Sequence, residues 1–367
     1  MPFANHFPLS LALDQTTSSN IDALGALLGL TWPNIIGARR YTEEIQGGIA
    51  ARVVSLVPED TSLVVFGSLA RDEATRQSDI DWTLLVDGQA YASHHTAALS
   101  IEKELVALGL TKPGAEGTFG GLVFSHDLIH YIGGEADTNA NTTRRLLLLL
   151  ESAAIGSGEV RGRVIHQVLK RYVVEDFGLL LGRTEGLPRF LLNDIVRFWR
   201  TMAVDFQYKR REREAKGWAL RTVKLRLSRK LTYVAGLLAC YSCANISGLE
   251  SSDPERRPHE IVDHLSTFLR QTPLEMLAAT LLTHLAQPGF EEAARDVFNS
   301  YDAFLAMISN EEQRSALKYL AAERAADDPL YNQARELGHA FQRGLNTLFV
   351  DHNDTPLYHL TRSYGVF

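Results

Sequence analysis

The sequence predicts an α+β protein, with a small mixed sheet and its helices in front and an all-helical remainder behind. Short β-branched and aromatic runs occur at Thr61 to Phe66 and at Trp82 to Val86. A third extended stretch is expected from Gly120 to Ile132, closed by Gly133-Gly134. From about Asn141 onward strand signals stop and apolar residues recur at helical spacing.

Residues 19–57 read as helical, with Ser19 or Asn20 able to cap and Pro58 ending the run. Thr61 to Phe66 is then a buried strand, ended by a turn at Gly67-Ser68. Leu69 to Thr75 is expected to make one or two helical turns. Trp82 to Val86 is a second strand, closed by Asp87-Gly88, and 90–109 is helical. The predicted order is α-β-turn-β-α-β. Later helices are expected at 142–153, 158–173, 189–213, 218–243, 258–270, 273–285, 289–308, 310–325 and 329–348, with Gly, Pro or Ser at the breaks. A division at about residue 155 follows, giving domains 1–155 and 156–367, and 367 residues suit two domains.

Composition narrows the class. Hydrophobic residues make up 45% and charged residues 22%, as in globular proteins. The longest apolar run is the five leucines from Leu146 to Leu150, far short of the ~20 residues that span a bilayer. Met1-Pro2-Phe3-Ala4 shows no signal-peptide pattern, so a cytoplasmic address is expected. Net charge is −7, which argues against a protein that coats long nucleic acid. Cys240 and Cys243 lie in an apolar helical pattern with no second Cys or His pair nearby, and read as small core residues. There is no G-x-x-x-x-G-K-[ST] phosphate loop.

The chemistry-bearing segment follows the first strand. Asp79 and Asp81, if extended, project to one face of a strand, while Ile80 projects to the other. Two adjacent carboxylates repel, so the pair makes sense around cations. Mg²⁺ takes oxygen ligands of this kind, and paired ions suit phosphoryl chemistry. Gly67 lets backbone N–H groups approach an anion, Ser68 adds a hydroxyl, and a helix start would favour negative charge. Arg71, one turn on, is placed to reach phosphate. Asp127 is the candidate third carboxylate, with a charge inside a predicted strand of apolar neighbours that wants a partner. An aspartate at a strand edge is the alternative reading. His126 and His130 have the wrong parity to share its face.

The run Gly67-Ser68-Leu69-Ala70-Arg71-Asp72-Glu73-Ala74-Thr75 through Ser78-Asp79-Ile80-Asp81-Trp82 resembles the polymerase β-like nucleotidyltransferase superfamily. Its form, G-S-x-x-R-x-E-x-T-x-x-S-D-x-D, is similar to bacterial nucleotidyltransferases related to the N-terminal domain of the PII protein uridylyltransferase. The resemblance implies a small mixed-sheet catalytic domain followed by a helical domain that closes the nucleotide cleft. It implies a triphosphate at Gly67 and Ser68, with Arg71 and Ser78 in the nucleotide-binding set. It also implies Mg²⁺ (two ions, with Mn²⁺ as a substitute) at Asp79 and Asp81, and Asp127 in the acceptor-activating role. Where this chain has Gly67-Ser68 the uridylyltransferase tends to have Gly-Gly, and no phosphohydrolase His-Asp motif or regulatory domain follows here.

Two polar stripes mark the helical part. Asp194, Arg197, Thr201 and Asp205 form one, and Arg221, Lys224, Ser228 and Thr232 the other. Arg221, Lys224 and Ser228 suit γ-phosphate or base-edge contacts, and equally suit a solvated face with salt bridges. Trp199, Phe206 and Tyr208 read as core aromatics, with base stacking as the alternative, and the run Lys209-Arg210-Arg211-Glu212-Arg213-Glu214 as a solvated helix end, with a basic RNA-binding tip as the alternative.

The expected activity is Mg²⁺-dependent transfer of a nucleoside monophosphate from an NTP or dNTP to an acceptor, releasing pyrophosphate. The acceptor is left open among a protein, an RNA end, a nucleotide and a small molecule. An oligonucleotide-signal synthase of a bacterial defence or toxin system shares the same metal site. A nucleotide-sensing or scaffold subunit, with a partner protein encoded elsewhere, is the alternative of another class.

Overall fold

The computed structural model describes residues 19–109, 119–181, 186–212, 217–246, 249, 253 and 255–365, with side chains at 209–212 outside that set. Met1 to Ala4, most of 251–254 and the charged side chains of 209–214 therefore lie outside the described residues. The first half contains α1 (Asn20–Leu28), α2 (Pro33–Val53), β1 (Thr61–Phe66), β2 (Asp81–Val86), α3 (Ala92–Ala107), β3 (Gly121–Phe124), α4 (Ser125–His130), α5 (Asn139–Leu150) and β4 (Ser152–Ile155). The second contains α6 (Glu159–Val174), α7 (Phe177–Leu180), α8 (Arg189–Glu212), α9 (Trp218–Lys224), α10 (Lys230–Ser242), α11 (Arg257–Phe268) and α12 (Pro273–His284). It ends with α13 (Phe290–Ser309), α14 (Glu311–Tyr319), α15 (Pro329–Asn346) and α16 (Pro356–Leu360).

The four strands lie in the order β3-β2-β1-β4, a mixed sheet with β2 and β3 parallel and the other pairs antiparallel. The α+β class is therefore observed: a small mixed sheet followed by a helical region. Alternation along β1 divides the core between two faces. Leu63 and Val65 join Ile80, Trp82 and Leu84 beneath α2 and α3, while Val64 and Phe66 join Leu85 on the face toward α5 and α6.

Several expectations are corrected. The helix expected over 19–57 is two helices, because Gly29 takes a left-handed φ of 65° that ends α1 and Pro33 opens α2. Trp32 cannot cap α2, so Asp302 of α13 does it, accepting from the Asn34 and Ile35 amides at 2.8 and 3.0 Å. The strand expected over 120–132 stops at Phe124, and Ser125–His130 is the helix α4. Strands also do not end at residue 141, since β4 pairs with β1 over Leu63 to Phe66. Ser152-Ala153-Ala154-Ile155 has almost no intrinsic strand preference, and pairing to a buried neighbour overrides it.

One hydrophobic cluster runs through both halves of the chain, from Ile21 and Trp32 through the leucines of α5 to α13 and α15. Accordingly α1 packs on α12 and α2 on α13. Cys240 and Cys243 are free and buried, with burial pushing both thiols up, as expected of core residues. No helix among the described residues is long and apolar enough to cross a membrane.

Candidate active site

β1 runs out at Phe66, opposite Asp81, the first residue of β2. Gly67 then takes φ 66°, a left-handed conformation that a side chain strains. A Cβ there would stand 3.4 Å from Asp81 Oδ2, so the turn and the carboxylate are in direct apposition. Gly67–Leu69 is a single 3₁₀ turn, not the start of a regular helix. Anion binding at the turn thus rests on local N–H groups and Ser68, not on a macrodipole. Ser68 is half-buried, and its hydroxyl makes no hydrogen bond among the described residues.

Ile80 is buried in the core beneath α2 and α3, which leaves Asp79 and Asp81 on the other side of the chain. Asp79 is exposed and Asp81 half-buried. Burial raises the Asp81 carboxyl above the usual carboxylate range, Asp79 and Glu151 add to this, and Arg229 and Arg71 oppose it. These are hard oxygen donors of like charge at one mouth, a set that fits a divalent cation. Among the described residues no group of three or more His, Cys, Asp or Glu is gathered as a metal cage.

Asp127 is not brought to this mouth. β3 runs parallel to β2 with Phe124 level with Val86, so α4 emerges at the end of the sheet opposite Asp81. Five residues of strand separate the levels, roughly 17 Å. Asp127 is exposed on α4 and only its carbonyl is engaged, by Asn141 Nδ2 at 2.7 Å. The apolar neighbours that suggested a strand are instead the buried face of a short helix, and a carboxylate in water needs no partner.

Arg71 acts electrostatically on Asp81 but is not left free for a phosphate. It is 6% exposed and is spent on Glu73 (Nε to Oε2, 2.9 Å) and Glu151 (Nη1 to Oε2, 2.9 Å). Glu73 in turn accepts from Tyr301 Oη of α13 at 2.5 Å. Ser78 holds the loop instead of facing solvent, because its Oγ accepts from the Thr75 amide at 2.9 Å. Ser228 is buried and donates to the Lys224 carbonyl at 3.2 Å, so it makes an internal helix bond. Arg221 sits half-buried on α9, about one turn before Lys224.

Lys224 lies within electrostatic reach of Asp79. Burial lowers its pKa to about 8, the charges of Arg314, Arg229 and Arg71 push the same way, and Asp79 opposes them. Arg314 of α14 also feels Asp79, and its Nη2 donates to the carbonyl of Gln77 at 2.8 Å, two residues before Asp79. Leu225–Arg229 is a π-helical segment between α9 and α10. In an α-helix residues five apart point ~140° apart. The π turn bonds i to i+5 and brings Lys224 and Arg229 toward one side. Arg229 Nη1 then pairs with Glu151 Oε1, and Thr232 Oγ1 donates to Glu151 Oε2 at 2.7 Å.

Glu151, Arg229 and Arg314 were missed by sequence reasoning. Glu151 did carry a signal, since a carboxylate directly after five leucines is a buried charge in search of partners. Arg229 was hidden by the π segment, which breaks the 3.6 period used to read stripes. The Asp194 stripe has a structural role: Asp194 and Asp137 bracket the fully buried Arg145, each at 2.9 Å, with Tyr172 and Arg197 completing the network.

Residues 48–112, which contain β1, the Gly67 turn and β2, match the family described as Nucleotidyltransferase domain. No curated protein matches the chain. The nucleotidyltransferase-like segment thus lies in the small mixed sheet, with a helical region following it. The match is to the general domain and does not single out relatives of PII uridylyltransferase.

Proposed function

We propose that the protein transfers a nucleoside monophosphate from an NTP or dNTP to an acceptor, with release of pyrophosphate, in a divalent-cation-dependent reaction. One observation carries this reading: Asp81 stands against the Gly67 turn, and Asp79, two residues before it, is within electrostatic reach of Lys224 and Arg314. Transfer of a nucleotidyl group asks for positioning and charge stabilisation more than for covalent help. The acceptor oxygen attacks the α-phosphorus, the bond to the pyrophosphate oxygen breaks, and the acceptor hydroxyl gives up its proton to solvent water. Asp79 and Asp81 are the residues to hold Mg²⁺, which supplies charge neutralisation to the phosphate oxygens when bound. The Gly67-Ser68 turn orients the triphosphate through backbone N–H groups and the free Ser68 hydroxyl. Lys224 and Arg314 offset charge building on the departing pyrophosphate. Glu151 holds Arg71 and Arg229 in place behind the turn. The division of labour between residues 1–155 and 156–367 belongs to this proposal, with the helical part forming the opposite wall of the cleft.

The test is incubation with each labelled NTP and dNTP and Mg²⁺, alone and with cell extract. Pyrophosphate release that falls at least ~10³-fold in Asp79→Asn and in Asp81→Asn supports the assignment. Turnover unchanged in those variants would sink it. Nucleotide binding without pyrophosphate release under every condition would instead favour a sensing or scaffold role.

A further inference from the structure

β4 is an edge strand, and a second cleft lies beyond it, on the side away from β1. Two cavities of about 280 and 340 Å³ meet there at Arg161, Leu269 and Arg270. The inner one reaches Ala70, Asp72 and Glu151, behind the candidate active-site turn. The outer one runs between α6 and α11 past His166 and Ser266.

The charge pattern of this cleft differs from the rest of the molecule. Arg39, Arg71, Arg145 and Arg229 each meet a carboxylate within 4.0 Å. Arg161 and Arg270 form no ion pair among the described residues. Arg161 is half-buried, and its side-chain partners among the described residues are neutral: Nε donates to Ser152 Oγ at 2.8 Å and Nη2 to Ser152 O at 2.6 Å. These bonds hold the fork and leave Nη1 unengaged among the described residues. Burial and the charge of Arg270 together draw the Arg161 pKa down to about 10, the mark of a guanidinium lacking a counter-charge. Ser266 Oγ is buried and has no hydrogen-bond partner among the described residues.

The carboxylates at hand do not answer the two arginines. Glu151 is already taken by Arg71, Arg229 and Thr232. Arg39 is the positive charge that acts on Asp72. Asp263 is exposed on the outer wall and pairs with neither arginine among the described residues. Two guanidiniums around an open cavity, with an unsatisfied hydroxyl beside them, make a receptor for an anion with several acceptor oxygens. The cavity volume exceeds what one phosphate needs and lies in the range of small-molecule sites.

The geometry points to an anion site in this cleft that takes the phosphate group of a small phosphorylated molecule, with Arg161 and Arg270 as its ligands. It is separate from the Gly67-Ser68 turn and does not depend on the nucleotidyl-transfer reading.

The test is calorimetric titration of the full chain in metal-free buffer with EDTA, using inorganic phosphate and glucose 6-phosphate as probes. Arg270→Ala removes an exposed side chain, so its folding is not at stake. It should weaken both probes at least tenfold, while Lys224→Ala, which alters only the active-site mouth, should leave them unchanged. Glucose 6-phosphate should bind more tightly than phosphate in the wild type. No binding at millimolar concentration, or loss in Lys224→Ala but not in Arg270→Ala, overturns the site. Equal affinity for the two probes overturns the claim that the cavity houses the organic part.

Discussion

Replacing Glu151 by glutamine removes the carboxylate that pairs with both Arg71 and Arg229. Burial by itself pushes this carboxyl up, yet Arg229 first and Arg71 next, with the bonds from Thr232 and Arg71, hold it at about 2 instead of its usual 4.5. That difference corresponds to about 3 kcal/mol of folding free energy. The cost of removing one partner of a buried ion pair, ~3–5 kcal/mol, agrees. The folded carboxyl titrates below the unfolded one, so this stability is present above pH 4.5 and is lost as the pH falls toward 2. Urea denaturation at pH 7 should therefore show Glu151→Gln less stable by about 3 kcal/mol. The gap between variant and wild type should narrow as the pH drops below 4.5. A cost under ~1 kcal/mol at pH 7, or an acid slope identical in the two proteins, would refute the argument that Glu151 anchors both arginines.

Four further outcomes are expected. Asp72 has its carboxyl raised to about 6 by burial, against the pull of Arg39. Its ionised form thus opposes folding, and stability falls as the pH rises through 6. Asp72→Asn, which also tolerates the φ of 60°, should gain about 1–2 kcal/mol at pH 8 and nothing at pH 3.5, measured by denaturant midpoint. Asp127→Asn should leave nucleotidyl transfer within about twofold of wild type, since the side chain stands in water at the far end of the sheet; a ~10²-fold loss would restore it as a catalytic group. Gly67→Ala should cost ~1–2 kcal/mol through its left-handed backbone and lower turnover through the carboxylate beside it. Lys224→Ala should cut kcat by ~10–10³-fold with little change in stability, and a change confined to melting temperature would assign Lys224 a structural role instead.

The geometry at the Gly67 turn was legible because strand alternation is a rigid rule. A hydrophobic strand, a Gly-Ser turn and an Asp-apolar-Asp entry leave few geometries, and the apposition of Gly67 with Asp81 follows from them. Asp127 was misread because a four-residue strand running into a helix presents the same apolar residues as one longer strand. β4 was invisible because two alanines and a serine carry no strand preference, and only β1 makes them extended. Arg71 was legible as important but not in its role: its spacing from the turn suggested phosphate, while Glu73 and Glu151 claim it. Those partners come from 2 and 80 residues away, and no local pattern announces the second.

The segment Leu225–Arg229 has a consequence for length variation. A π turn amounts to one residue inserted into an otherwise regular helix. Deleting a single residue from 225–228 would let the segment close as regular α-helix and leave Lys224 and Arg229 four residues apart, ~40° around the axis and still on one side. Forcing the same five-residue spacing into α-helix would instead set them ~140° apart and turn Lys224 from Asp79 while Arg229 holds Glu151. The shared side of these two cations is thus a property of the extra residue and its wide turn together.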